Sequence, residues 1–483
     1  MPTGTNTVLF VAKYSIPHDH KFTYAQMVAI IQPTKAEVNR VRVTVGGDRL
    51  DLTGATTTPC ASLTTTKSLL NITLSTPGAQ LMTLDIKDFY YGTDMAHYEY
   101  IKITLACIPD KIIDQYKLRA LSSDSWVYLD IRKGMPSLKQ AGRITNNRLK
   151  AHLAHFVFAP VSRTPALWKH TTKPIIFSLL VDYFVVKYID KENSDYLIQA
   201  LQKLYTISID WTSSLFCGLT IDWDYATRTC NISMPKYLQT DLHKFQHPAP
   251  KRPQHAPRSW SKPNYGVHVQ YAPDDDSSPL LSAITINLVQ KTVGKLLYYS
   301  ILVDPTILTA LGSIVAQQEK GTEKTYSDTL WILDYAATYP NSTIQYTASD
   351  MFLHIHIHAS YLSKPLARSR AGGHYFLGDM RPDMSKPPTT RPRLNGPIHS
   401  ISQIMSNVMG SAAESELGAA YINGQEAVPI RTFLLELVHP QLSTPIQVDN
   451  STADSFANDT IKKKRLKAID MQFYWIRDRT SQG

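Results

Sequence analysis

The chain has 483 residues, of which 43% are apolar and 19% charged, the balance of a folded globular protein and not of a disordered one. Lys and Arg outnumber Asp and Glu by 50 to 40, and the formal charge of +10 points to a polyanionic partner, nucleic acid before an anionic membrane surface. A chain of this length predicts roughly two to four domains.

The first stretch, MPTGTNTVLFVAKYSIPHDH, lacks the basic n-region of a secretory signal, and no apolar run reaches the roughly 18 residues of a membrane span. Cys60, Cys107, Cys217 and Cys230 are scattered without CxxC spacing, which suits a reducing compartment. An intracellular location, cytoplasm or nucleus, is therefore expected. The alternation NRVRVTV at residues 39–45 predicts a strand with Arg40 and Arg42 on one face, turning at Gly46 and Gly47. That face is either solvated or turned to phosphates.

Residues 81–92, LMTLDIKDFYYG, read as an apolar strand that delivers Asp85 to its end and runs into aromatics. A Gly- and Pro-punctuated basic loop follows at residues 131–143, and the periodic stretch after it predicts a helix. Its opening is a phosphate or template contact or an ordinary surface loop. Residues 177–188, FSLLVDYFVVKY, have the pattern of a β-hairpin with Asp182 at its turn. An unpaired buried carboxylate is costly, so this acid calls for a metal ion or a basic side chain. Side by side, the two strands would bring Asp85 and Asp182 together, and a divalent cation relieves the repulsion of such a pair. Helix capping explains either acid separately but not the matched pair.

Beyond the hairpin, residues 211–223 read as another strand pair. Residues 243–263, HKFQHPAPKRPQHAPRSWSKP, read as a linker or extended basic arm without a packed core, with His243 and His247 as surface histidines. Residues 280–340 carry helical periodicity broken by Pro305 and Gly321. A strand begins at Thr343, and the next, FLHIHIHAS, sets His354, His356 and His358 on one face, where a zinc reading is available. SAAESEL opens a helix with Glu416 in its first turns, IQVDNSTA puts Asp449 at a strand end before a helix, and a basic run precedes Asp470 on an amphipathic segment.

With these residues laid out, the chain resembles, over nearly its whole length, the reverse transcriptase and ribonuclease H region of copia-type LTR retrotransposon polyproteins. LDIKDFYYG is similar to the first polymerase carboxylate motif, GMPSLKQAGR to the YGLKQA loop and LLVDYF to the YVDD hairpin. HIHASYL stands where SDAD is expected, SAAESEL where STEAE is expected, VDNSTA at the DN-containing motif and LKAIDMQFYWIRD at KHID with its aromatic run. The resemblance implies an α+β and α/β right-hand polymerase followed by an RNase H-like domain. Fingers and palm would occupy residues 1–265, a helical thumb or connector 266–342 and the RNase H-like domain 343–483.

It also implies roles. Asp85 and Asp182 match the polymerase carboxylates that hold two Mg2+ (or Mn2+) ions, and Glu416, Asp449 and Asp470 match three of four metal-binding carboxylates of the RNase H. Tyr90 matches the aromatic that excludes a ribose 2′-hydroxyl, Gln140 the nucleotide-contacting glutamine, and Lys187 is expected just beyond the hairpin, within reach of the primer backbone. The implied partners are an RNA or DNA template–primer and deoxynucleotides. Three departures stand out: Tyr183 replaces the second hairpin aspartate, Pro136-Ser137 the tyrosine-glycine of the loop, and His358 the first RNase H aspartate. RNase H activity is expected to be lost or very weak, and polymerase activity impaired. Protease and integrase regions are absent from the chain, so a partial or decayed copy is expected, with a non-catalytic nucleic-acid-binding remnant as the alternative.

Overall fold

The computed structural model describes residues 5–18, 20–31, 39–50, 54–259, 276–380, 393–458 and 470–482. Long-range packing divides the chain into two units, one drawing on residues 1–61 and 82–209, the other on 62–81 and 210–483.

The strands up to residue 210 are β1 (Val8–Val11), β2 (Phe22–Ile31), β3 (Asn39–Val45), β4 (Ala79–Ile86), β5 (Asp94–Thr104), β6 (Trp126–Lys133), β7 (Phe158–Pro160), β8 (Leu167–His170), β9 (Ile176–Leu180), β10 (Tyr183–Ile189) and β11 (Ile207–Asp210). They form a five-stranded sheet in the order β1-β6-β5-β2-β3 and a six-stranded sheet in the order β11-β4-β10-β9-β8-β7. In β10, Phe184 to Tyr188 are all buried, which is the mark of a strand covered on both faces. On the face of Phe184 and Val186 the cover comes from the helices Ala141–Ala154 and Lys191–Gln202, whose Leu149, Leu153, Leu197 and Leu201 pack with Leu84, Phe177, Leu179, Phe184 and Val186. Trp168 stacks on Phe177 across the same core, with ring centroids 5.7 Å apart.

The second unit contains β12 (Leu215–Phe216), β13 (Leu219–Asp224), β14 (Thr229–Ser233) and β15 (Thr343–Thr347), joined in that order. Between β12 and β13, Cys217 and Gly218 take φ of 48° and 79°, the left-handed pair that a two-residue hairpin turn requires. Residues 280–340 fold into the helices Ala283–Leu302, Leu308–Val315 and Glu323–Thr338, interrupted around Pro305 and at Gly321. The remaining sheet runs β18 (Pro397–Ile404), β17 (Arg368–Gly378), β16 (Phe352–Lys364), β19 (Ile446–Gln447), with only β19 parallel to its neighbour. Ser411 caps the helix Ala412–Glu436 by accepting from the Glu414 amide, and Asn450 caps Ser451–Ala457 by accepting from the Thr452 and Ala453 amides. Among the described residues, no helix is long and apolar enough to cross a membrane.

The reading of residues 243–259 as an unpacked arm is overturned. His247 Nε2 lies 2.7 Å from Asp334 Oδ1 with its side chain only 6% exposed, so it is not a surface histidine. The Gln254 amide donates to Thr338 Oγ1, and Trp331 Nε1 donates to the Ala256 carbonyl, both at 2.9 Å. A Pro-rich segment makes few hydrogen bonds of its own, and the helix Glu323–Thr338 supplies partners for this one. Residues 260–263 of the expected arm lie outside the described residues.

Candidate functional site

Leu180 pairs with Tyr183, so β9 and β10 are joined by a turn of two residues, Val181 and Asp182. Strand twist favours positive φ at the first central position of such a turn, and Val181 takes 62°. A β-branched residue in that region is strained. The turn brings Asp182 beside β4, where the Ile86 amide donates to the Asp182 carbonyl at 3.1 Å. Asp85 immediately precedes Ile86, so one main-chain hydrogen bond separates the two strand ends that carry the acids. Both aspartates are half-buried. Tyr183 Oη lies 3.4 Å from Thr83 Oγ1, and Thr83 and Asp85, two apart on β4, share a face. The phenol therefore rests on the face that bears Asp85, as a polar group without a negative charge.

Tyr90 lies on the short helical turn Phe89–Gly92, and burial, followed by the charge of Asp182 and then Cys60, holds its phenol above the ordinary tyrosine range. Gly134 is needed beside it, because a Cβ there would stand 2.8 Å from the Tyr90 carbonyl oxygen. Gln140 donates through Nε2 to Glu99 Oε1 at 3.0 Å, a bond that offsets part of the upward push burial exerts on the Glu99 carboxyl. Arg42 is exposed on β3, the edge strand of its sheet, where a cation also discourages further strand pairing. The side chain of Arg40, on the same strand, lies outside the described residues.

Lys187 corrects its expected placement. It lies inside β10, paired with Ile176 and 7% exposed, and burial lowers its pKa to about 8. A strand buried on both faces reads as a continuous apolar run, and Lys187 is buried with the rest of it.

A second cluster lies in the sheet of β16. His358 Nδ1 is 3.4 Å from Glu416 Oε1 and 3.2 Å from Asp449 Oδ2, and the three side chains can offer donor atoms all within 4.8 Å of one another. Three elements converge to make it: β16 carries His358, the first turns of Ala412–Glu436 carry Glu416, and the segment between β19 and its following helix carries Asp449. Glu416 is 3% exposed, and its Oε1 accepts from the Ala359 amide at 2.8 Å. Its Oε2 has no hydrogen-bond donor among the described residues. Burial raises the Glu416 carboxyl, with Asp449 adding to the shift while the Ala359 amide and His358 oppose it. Asp470 opens the helix Asp470–Gln482, and its side chain lies outside the described residues.

The zinc reading through three strand histidines is overturned. His354 is buried, donates to the Asp379 carbonyl at 3.0 Å and stacks on Phe376, and His356 meets Phe376 edge-on. Only His358 of the three reaches the acidic cluster. Sequence reasoning also missed Thr83, Glu99 and Cys60 as neighbours of the first site. Register and loop closure bring them there, and no motif marks them.

No family model matches the chain. Its mixed α/β fold resembles that of a viral reverse transcriptase: a foamy viral protease-reverse transcriptase dRH in complex with double-stranded DNA aligns with 98% of this chain and 65% of its own, at a TM-score of 0.50 and 10% identity. In sequence, the chain is 21% identical over 426 residues to the retrovirus-related Pol polyprotein from transposon TNT 1-94 of Nicotiana tabacum. That alignment takes in 87% of this chain but spans only 29% of the polyprotein's length.

Proposed function

We propose that the chain is the reverse transcriptase and RNase H-like region of a copia-type retrotransposon polyprotein, a decayed copy whose polymerisation is impaired at Tyr183. Fingers and palm take residues 1–265, the helical thumb or connector 266–342 and the RNase H-like domain 343–483. The observation that carries this reading is the main-chain bond between Ile86 and Asp182, which joins the two aspartate-bearing strand ends. The plant transposon relative and the DNA-bound viral structure support it, and so does the excess of basic residues.

In this reading the half-buried Asp85 and Asp182 would hold the metal ions, and the donor set fits in part, because the Tyr183 phenol contributes no carboxylate. Two Mg2+ or Mn2+ ions bound there would activate the primer 3′-hydroxyl and neutralise the leaving pyrophosphate. Tyr90 stands against the ribose of the incoming deoxynucleotide, and Gln140 and Arg42 face the nucleotide and template. The RNase H-like cluster does not fit two Mg2+ ions, since His358 supplies an imidazole where a carboxylate is required, so no hybrid cleavage is derived from it. Primer extension on an RNA template with Mg2+ or Mn2+ tests the reading, comparing the chain with its Tyr183→Asp variant. Extension by neither form overturns it.

A second reading, a nucleic-acid-binding remnant without catalysis, is favoured by Tyr183 itself. It predicts salt-dependent binding to template–primer with no extension by either form.

A further inference from the structure

We infer that His358, Glu416 and Asp449 form a site for a single divalent transition ion of the Zn2+ class, with little affinity for Mg2+. The inference goes beyond the polymerase reading and does not rest on it, because the donors converge whatever the domain descends from. Three observations carry it.

The first is distance. Ligands at tetrahedral positions around Zn2+, each about 2.0–2.2 Å from the metal, lie about 3.3 Å from one another. His358 Nδ1 stands 3.2 Å from Asp449 Oδ2 and 3.4 Å from Glu416 Oε1, two edges at that spacing, and all three donor atoms lie within 4.8 Å of one another.

The second is the buried Glu416 oxygen. Glu416 is only 3% exposed, and its Oε2 has no donor among the described residues, although a buried carboxylate oxygen without a partner is costly. A cation held by His358, Asp449 and this carboxylate would put positive charge beside the buried group.

The third is ligand chemistry. Mg2+ is held by oxygen ligands in near-octahedral geometry, whereas imidazole suits Zn2+ and its neighbours. One nitrogen and two carboxylates leave a fourth tetrahedral position open to water, the pattern of an accessible rather than a closed zinc site. A protonated His358 bridging the two acids is the competing account. Nδ1 carries one proton yet has two oxygens near it, and both distances exceed the ~2.7–2.9 Å of a charge-assisted hydrogen bond.

The test uses the full chain, stripped with chelator and titrated with Zn2+, Co2+ or Mg2+ alone by calorimetry. One equivalent of Zn2+ is expected, and the Co2+ form should show the intense visible absorption of tetrahedral coordination. His358 is well exposed, so His358→Ala should fold normally and lose Zn2+ affinity by about 100-fold or more, since even outer-shell partners are worth about 10–100-fold. His358→Asp should weaken Zn2+ and gain Mg2+. Absence of stoichiometric Zn2+, an unchanged affinity in His358→Ala, or equal binding of Mg2+ to the unaltered chain each overturns the inference. Primer extension is not read in this experiment, so its outcome and that of the polymerase reading remain separate.

Discussion

The amide of Ile86 donates to the carbonyl of Asp182 across 3.1 Å, a main-chain bond between two aspartate-bearing strand ends. Because no side chain takes part, the pairing survives changes of side chain around it. The Tyr183 phenol can occupy the face beside Asp85 while the sheet keeps its register, which separates the fate of the fold from the fate of the chemistry.

The strained turn gives the first prediction. Val181 holds φ at 62°, a region that costs an L-residue roughly 1–2 kcal/mol and glycine almost nothing. Val181→Gly should raise stability by about 1 kcal/mol, after the entropy glycine loses on folding, as a higher urea midpoint at unchanged slope. A lowered midpoint would show that the valine side chain contributes more than the backbone costs.

Lys187 gives the second. Its pKa is lowered from 10.5 to about 8 by burial, so the folded state disfavours the charged amine. Below about pH 8 both folded and unfolded chains carry the proton, and the folded one bears the whole penalty. Between about 8 and 10.5 the unfolded chain binds more protons, so this group makes stability rise with pH. Lys187→Met should therefore stabilise the protein at pH 7 by about 1–3 kcal/mol, an advantage that shrinks toward pH 10. Denaturation curves at both pH values check it, and a destabilised variant at pH 7 contradicts the burial argument.

Gln140 and Glu99 give the third. Their 3.0 Å bond ties the helix Ala141–Ala154 to β5 within one unit. Gln140→Ala should cost about 1 kcal/mol, and adding Glu99→Ala should cost little more, because the partner is already lost. Fully additive losses in a double-mutant cycle would show that the two side chains act independently.

Much of this was legible because local pattern and global fold agree. The apolar runs on either side of Asp182 specify a hairpin, Pro305 and Gly321 mark the breaks in the helical stretch, and the first-turn acids of SAAESEL mark the start of its helix. The run after Asp182 concealed the burial of Lys187, since a sequence shows that a strand is apolar but not that both its faces are covered. The Tyr183 contact with Thr83, the union of His358 with Glu416 and Asp449, and the bond from His247 to Asp334 depend on which strands and helices become neighbours. Such pairings join residues far apart in the chain, and no spacing rule encodes them.

Tyr183→Phe gives the fourth prediction. At 3.4 Å the Tyr183 hydroxyl is near the limit of a hydrogen bond to Thr83, so the loss of that contact should change stability by less than about 0.5 kcal/mol. A loss above about 1 kcal/mol would show that the hydroxyl is a structural element of this sheet.

Primer extension on an RNA template in the Tyr183→Asp background tests the proposal that Asp85 and Asp182 are the carboxylates of a polymerase palm. With Mg2+ or Mn2+ present, that variant should extend the primer, and adding Asp85→Asn or Asp182→Asn should abolish extension without altering the urea midpoint. Extension that persists after either asparagine substitution, or no extension by the Tyr183→Asp variant with either metal, would contradict the account.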